Sequence, residues 1–212
     1  VVEPALQKSR EWPIDLSTCD CCQTDATLTS RGPVVVYRDR TEKEIRDIYT
    51  TRYDGQRWTT PVRVHADDWK MPACPVNGPA IAAQENKIWV AWFTAATQPS
   101  VRIAHSKNAG DSFEPMREVA NQNVQGRVDV LADANSVWIS WMEEKAGTQT
   151  VWLGQYSHDL KTEKQRFSLP PVIGNGRATG FPRMVLAQNK IHMVWTDIVN
   201  GKPQLRGIIV TP

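Results

Sequence analysis

Four cysteines stand out as chemistry, three of them packed into Thr18-Cys19-Asp20-Cys21-Cys22 and the fourth at Cys74. Sulfur this dense has two uses. An even count suits two disulfides in an oxidising compartment, with three possible connectivities, and a link from the cluster to Cys74 would tie the N-terminal segment to a later part of the chain. The other use is thiolate binding of a metal or a redox role, against which adjacent Cys21 and Cys22 make awkward neighbours on one tetrahedral ion. A second set pairs arginine with aspartate: Arg38-Asp39, Arg46-Asp47 and Arg127-Val128-Asp129, with Arg183 further on. Such pairs commonly satisfy strand ends and join neighbouring sheets as ion pairs. A third feature is Trp69, in Asp67-Asp68-Trp69-Lys70 within a proline-flanked loop, which could stack on a sugar or anchor its loop.

The elements that must position these residues follow from an internal repeat. Gly78-Pro79-Ala80-Ile81-Ala82-Ala83, Gly126-Arg127-Val128-Asp129-Val130-Leu131 and Gly180-Phe181-Pro182-Arg183-Met184-Val185 align, their glycines 48 and 54 residues apart. Each is followed by a turn rich in Asn, Asp and Gln, and then by a strand reaching tryptophan: Lys87–Trp92, Ser136–Trp141 and Lys190–Trp195. Asn and Asp tolerate left-handed backbone, so each turn reads as a hairpin. Third strands appear at Ser100–Ser106, Thr150–Ser157 and Leu205–Val210, and fourth strands at Met116–Val119 and Arg166–Leu169. The first unit has the same order with different filling: Thr24–Thr29, Pro33–Arg38, Glu44–Tyr49 and Pro61–Val64. No stretch carries helical periodicity.

The fold expected is therefore all-β: a β-propeller of four-stranded antiparallel blades, about four in this chain. A Cys-rich segment over 1–23 precedes blades at 24–70, 71–120 and 121–171 and an incomplete blade at 172–212. Because the last unit stops after its third strand, the chain is expected to be part of a larger six- or seven-bladed ring, completed by missing N-terminal blades or another chain. The repeated tryptophans, Trp89, Trp92, Trp138, Trp141 and Trp195, are expected between blades.

Composition narrows the partners. The 212 residues are 41% hydrophobic with a net charge of +2, and Lys and Arg are scattered, so there is no basic stripe for nucleic acid. No window approaches eighteen consecutive apolar residues, so no membrane span is expected. The chain begins at Val1 and not Met, as a processed or truncated exported protein would.

Ser106-Lys107-Asn108-Ala109-Gly110-Asp111-Ser112-Phe113 fits the pattern Ser-x-Asp/Asn-x-Gly-x-x-Trp/Phe, with eroded copies at Thr51–Trp58 and Ser157-His158-Asp159. This turn resembles the Asp-box, the bacterial neuraminidase (BNR) repeat. Together with Cys19-Asp20-Cys21-Cys22, Tyr37-Arg38-Asp39, Ile45-Arg46-Asp47-Ile48 and Cys74-Pro75-Val76-Asn77-Gly78-Pro79, the chain from Cys19 onward resembles bacterial exported exo-α-sialidase-like proteins. The resemblance implies three arginines around a sugar carboxylate, an Asp acid/base and a Tyr nucleophile activated by Glu. Candidates are Arg38, Arg46, Arg127 and Arg183, with acids Asp39, Asp47 and Asp129 and phenols Tyr37 and Tyr49. The family's N-terminal Arg-Ile-Pro signature and an assignable Tyr/Glu pair are absent. Expected, then, is a secreted or periplasmic propeller that binds a glycan or other anionic small ligand through its channel face, with Trp69 and Asn77 as contacts and no cofactor or metal. The alternatives are an active exo-α-sialidase and a metal- or redox-linked protein working through Cys19, Cys21, Cys22 and Cys74.

Overall fold

The structure, a computed structural model, describes residues 10–169 and 179–211. Among them every regular element is a strand, and four meandering antiparallel sheets result. The first is β1 (Asp25–Thr29), β2 (Gly32–Arg38), β3 (Ile48–Arg52) and β4 (Val62–Arg63). The second is β5 (Ala80–Gln84), β6 (Lys87–Thr94), β7 (Ser100–Ser106) and β8 (Arg117–Ala120). The third is β9 (Val124–Ala132), β10 (Val137–Lys145), β11 (Thr148–Tyr156) and β12 (Glu163–Ser168). The last has three strands, β13 (Gly180–Ala187), β14 (Lys190–Val199) and β15 (Lys202–Val210).

First strands adjoin one another in the order β1, β5, β9, β13, so they are the inner strands, and the sheets fan outward from them as propeller blades do. Among the described residues no comparable contact joins β13 back to β1, and the four blades form an open arc.

The tryptophan spacing explains the stacking. Residues three apart on a strand point to opposite faces. Trp89 accordingly enters the apolar cluster between the second and third blades, and Trp92 the cluster between the first and second. Trp141 and Trp138 repeat this one blade on. All four are 0% exposed, and each indole N–H has an acceptor: His158 O, Asp67 Oδ2, Asp133 Oδ2 and Glu143 Oε1 at 2.7–2.9 Å. Burial without an unpaired donor is what permits so much aromatic surface inside.

One strand differs from expectation. The third strand of the first blade was expected at Glu44–Tyr49, and β3 spans Ile48–Arg52, pairing Arg38 with Ile48 and Val34 with Arg52. Thr41 and Glu44 close a turn, Glu44 adopts φ +61°, and Arg46 N–H donates to Trp69 O at 2.9 Å, outside the ladder. Residues 39–47 are therefore a loop, and it carries the Arg46-Asp47 pair and the acid of Arg38-Asp39.

The turn at Ser106–Phe113 is closed by its own side chains. Ser106 Oγ accepts from Gly110 N–H at 3.0 Å, and Asn108 Oδ1 accepts from Ser112 N–H at 3.0 Å. Ser157 and Asp159 build a similar turn, in which Leu160 at φ +60° repeats the left-handed backbone of Ala109 at φ +58°.

Candidate functional site

Because β2 ends where β1 begins, the loop 39–47, the segments leading into each inner strand and the cysteine cluster share one end of the arc. The predicted site residues all lie at or near that end. What holds them differs from one to the next.

Arg38, the last residue of β2, is 1% exposed. Its Nε donates to Asn77 O at 3.0 Å, Nη1 to Arg46 O at 2.6 Å and Nη2 to Phe93 O at 2.7 Å, and its guanidinium lies 4.9 Å from the centre of the Trp69 ring. Desolvation lowers its pKa to about 10 in spite of Asp67 and Asp47 nearby. Trp69 is 3% exposed, with Arg38 on its face and Phe93 at its edge, so the indole expected to meet a sugar is enclosed as a loop anchor. Arg46, 2% exposed, donates to Met71 O at 3.1 Å and pairs with Glu44 at 3.0 Å. Asp47, 1% exposed, accepts from Asp68 N–H, Trp69 N–H and Arg63.

Asn77 also works as a clamp. Its Oδ1 accepts from Arg127 N–H at 2.9 Å and its Nδ2 donates to Gln125 O at 3.2 Å, fixing the start of β9. Arg127 in turn donates to Thr179 O and lies 5.1 Å from the Phe181 ring centre, at the start of β13. Arg38, Asn77 and Arg127 thus form a relay of side-chain to main-chain bonds, each reaching the next blade. Gly126-Arg127 and Gly180-Phe181 occur at the same repeat position, all four residues with φ between +54° and +90°, where the ladder breaks register. Left-handed backbone at Arg127 and Phe181 is held because neighbouring blades over-determine it.

Asp129 and Arg183 stand at equivalent repeat positions, as do Asp25 and Ala80. Asp129 accepts from Met184 N–H at 2.6 Å and pairs with Arg183 at 3.1 Å. Asp25 accepts from Ile81 N–H at 3.0 Å in the same manner. The acid at this position links one inner strand to the next. Burial raises the Asp129 carboxyl to about 6 against the partial offset from Met184 N–H and Arg183. The folded state therefore holds this proton more tightly than the unfolded chain, and the stability it lends is greatest below about pH 4 and lost as pH rises through 6. Relative to Asp129→Asn, the wild-type protein is expected to lose on the order of 2–3 kcal/mol between pH 4 and pH 7, read from denaturation midpoints at each pH.

Asp39 is the one predicted acid left half-exposed, and it borders an open cleft. Asp39, Thr41, Glu42, Lys43, Ile45, Tyr49, Arg63 and Asp68 line about 450 Å³. The Asp39 carboxyl is raised, chiefly by burial, and the Tyr49 phenol is raised, again chiefly by burial. Tyr37 donates to Asp15 at 2.6 Å and is raised by burial and by that carboxylate. Nearer the inner strands, Pro75, Val76, Asn77, Gln125, Arg127 and Phe181 enclose a smaller pocket of about 150 Å³.

All four cysteines are paired, Cys19 with Cys22 and Cys21 with Cys74. The second bond makes the expected tie between the N-terminal segment and the lead-in to β5. Cys19 and Cys22 are a C-x-x-C pair, a spacing that the sequence reading wrongly took to be absent when it set disulfides against thiolate-metal binding. Two further residues were missed. Asp67, its side chain 1% exposed, gathers Trp92, Arg102 and His65 at 2.5–2.7 Å, and Gln23 grips both N–H and C=O of Gly78. An acid beside Trp69 in an off-repeat loop was the visible signal for the first; for Gln23 there was none.

No protein-family model matches the sequence, and no curated protein matches it. Solved structures do. A NanB sialidase mutant from Streptococcus pneumoniae superposes with a TM-score of 0.54 at 12% identity, over 88% of this chain and 30% of that one. An endo-arabinase from Bacteroides thetaiotaomicron gives 0.54 at 14% identity, over 92% and 76%. A subtype N10 neuraminidase-like protein of a little yellow-shouldered bat influenza A virus gives 0.56 at 10% identity, over 89% and 58%. At these identities the likeness is one of fold: this chain has a sialidase-like β-propeller fold, and it spans under a third of the length of the NanB chain.

Proposed function

We propose that the chain is part of an exported propeller that binds carbohydrate at the end where its inner strands begin, in the cleft bordered by Asp39, Tyr49, Arg63 and Asp68. The observation that carries this is the cleft's make-up: an aromatic ring beside carboxylates and cations in a volume of about 450 Å³, within the range of small-ligand sites. Asp39 and Asp68 can accept from sugar hydroxyls, Lys43 and Arg63 can donate to ring or hydroxyl oxygens, and Tyr49 offers a face for the apolar side of a pyranose. Acids outnumber bases along the wall, which suits a hydroxyl-rich ligand better than a densely anionic one.

Binding is favoured over hydrolysis by the state of the other predicted groups. Arg38 and Arg46 are buried and bonded to carbonyls, Arg127 spans to the next blade, and Arg183 pairs with Asp129. Burial keeps the Tyr37 and Tyr49 phenols protonated, the opposite of what a nucleophile requires. Disulfides support a secreted or periplasmic location. The Ser106–Phe113 turn supports assignment as an Asp-box. Further blades, from another chain or a longer form of this one, would cover the outer face of the last sheet, where Val185, Leu205 and Ile209 are 60–75% exposed.

Calorimetric titration with neutral and sialylated oligosaccharides tests the proposal. Tyr49→Ala and Asp39→Asn are each expected to weaken binding about tenfold or more; Asp39→Asn should leave the unfolding midpoint nearly unchanged, whereas Tyr49→Ala also loses the ring packed near Tyr37 and lowers it, so its affinity is read per folded molecule. Undiminished affinity in both variants, or turnover of a fluorogenic sialoside that Arg183→Ala abolishes, would set it aside, the second in favour of an active sialidase.

A further inference from the structure

We propose that the four-cysteine cluster is a disulfide-exchange site, taking reducing equivalents from a dithiol at Cys74 and passing them inward to Cys22. The two disulfides lie side by side: Cys19 Sγ and Cys21 Sγ are 3.7 Å apart, and the sulfurs of Cys19, Cys21 and Cys22 all fall within 4.8 Å of one another. Their accessibility is graded. Cys74 is exposed, whereas Cys19 is 7% exposed, so an external thiolate meets the Cys21–Cys74 bond first. C-x-x-C spacing at Cys19 and Cys22 is that of exchange-active pairs.

The chemistry proceeds by two displacements and a resolution. A thiolate of the dithiol attacks Cys74 Sγ, forming a mixed disulfide and releasing Cys21 as thiolate. Freed from Cys74, the Cys21 side chain rotates to bring its Sγ, which starts 3.7 Å from Cys19 Sγ, into line with the Cys19–Cys22 bond. It then attacks Cys19 Sγ, forming a Cys19–Cys21 bond and expelling Cys22 thiolate, which takes up a proton. The second thiol of the reductant displaces Cys74 and leaves as a cyclic or protein disulfide. Two electrons enter, one disulfide of the chain is lost, and Cys22 and Cys74 end as thiols. The tie between the N-terminal segment and the strand-leading segment Pro75–Asn77 is thereby opened, and that segment carries the Asn77 clamp on β9. The exchange is independent of carbohydrate binding.

The test is to treat the native protein with one equivalent of dithiothreitol, quench with acid, alkylate and map thiols by peptide mass spectrometry. The expected two-thiol product is alkylated at Cys22 and Cys74 and linked between Cys19 and Cys21. Alkylation at Cys21 and Cys74 with Cys19–Cys22 intact would overturn the proposal, as would alkylation at Cys19 and Cys22 or passage straight to four thiols. A Cys19→Ser/Cys22→Ser variant guards the entry step: its Cys21–Cys74 bond should open within about twofold of the wild-type rate, and a tenfold slower opening would contradict entry at Cys74.

Discussion

Arg38→Ala is expected to destabilise the protein by about 3–5 kcal/mol, lowering a urea midpoint by roughly 2 M, with carbohydrate affinity per folded molecule nearly unchanged. Three carbonyls, of Arg46, Asn77 and Phe93, would each lose a charged donor in a buried setting, and the Trp69 face would lose its cation. Those carbonyls belong to the 39–47 loop, the β5 lead-in and the end of β6, so the loss falls on the seam between the first two blades. Arg38→Lys should recover less than half. An ammonium is a point donor that cannot span the three directions a planar guanidinium serves at once. A sialic-acid-binding arginine would behave in the opposite way, with affinity falling and stability kept.

The second large effect belongs to the Cys21–Cys74 bond, whose partners are 53 residues apart, against 3 for Cys19–Cys22. Cross-linking removes more freedom from the unfolded chain the longer the loop closed, roughly 4 kcal/mol for the first and roughly 2 for the second. Cys21→Ser/Cys74→Ser should therefore unfold at a distinctly lower denaturant concentration than Cys19→Ser/Cys22→Ser. Equal midpoints would mean that the long tie adds nothing beyond the short one.

Much of the architecture was legible because the repeat states it twice, in the glycines at the start of the last three blades and in the tryptophans on β6, β10 and β14. Strand β7 lies over the predicted Ser100–Ser106, and among the described residues the last sheet has three strands. Glu44–Tyr49 was misplaced because its β-branched and aromatic residues read as strand, while Arg46 and Asp47 are held by tertiary partners at Met71, Asp68 and Trp69. Local propensity carries no information about those partners. The same limit applies to function. Arg38, Arg127 and Asp129 have the residue types of a carboxylate-binding site, and the difference between a ligand and a neighbouring blade's carbonyl lies only in where the side chain ends. Tyr49 on β3 and Arg63 on β4 meet across a strand pair, and Asp68 joins them from the inter-blade segment that follows, a juxtaposition no spacing in the chain announces.

Hydrogen–deuterium exchange with and without a bound oligosaccharide tests most directly where the ligand sits. Protection is expected in residues 39–45 and 62–68, which wall the cleft, with little change elsewhere. Protection confined to 75–77, 125–127 and 181 would place the ligand in the smaller pocket by the inner strands and contradict binding at Asp39 and Tyr49.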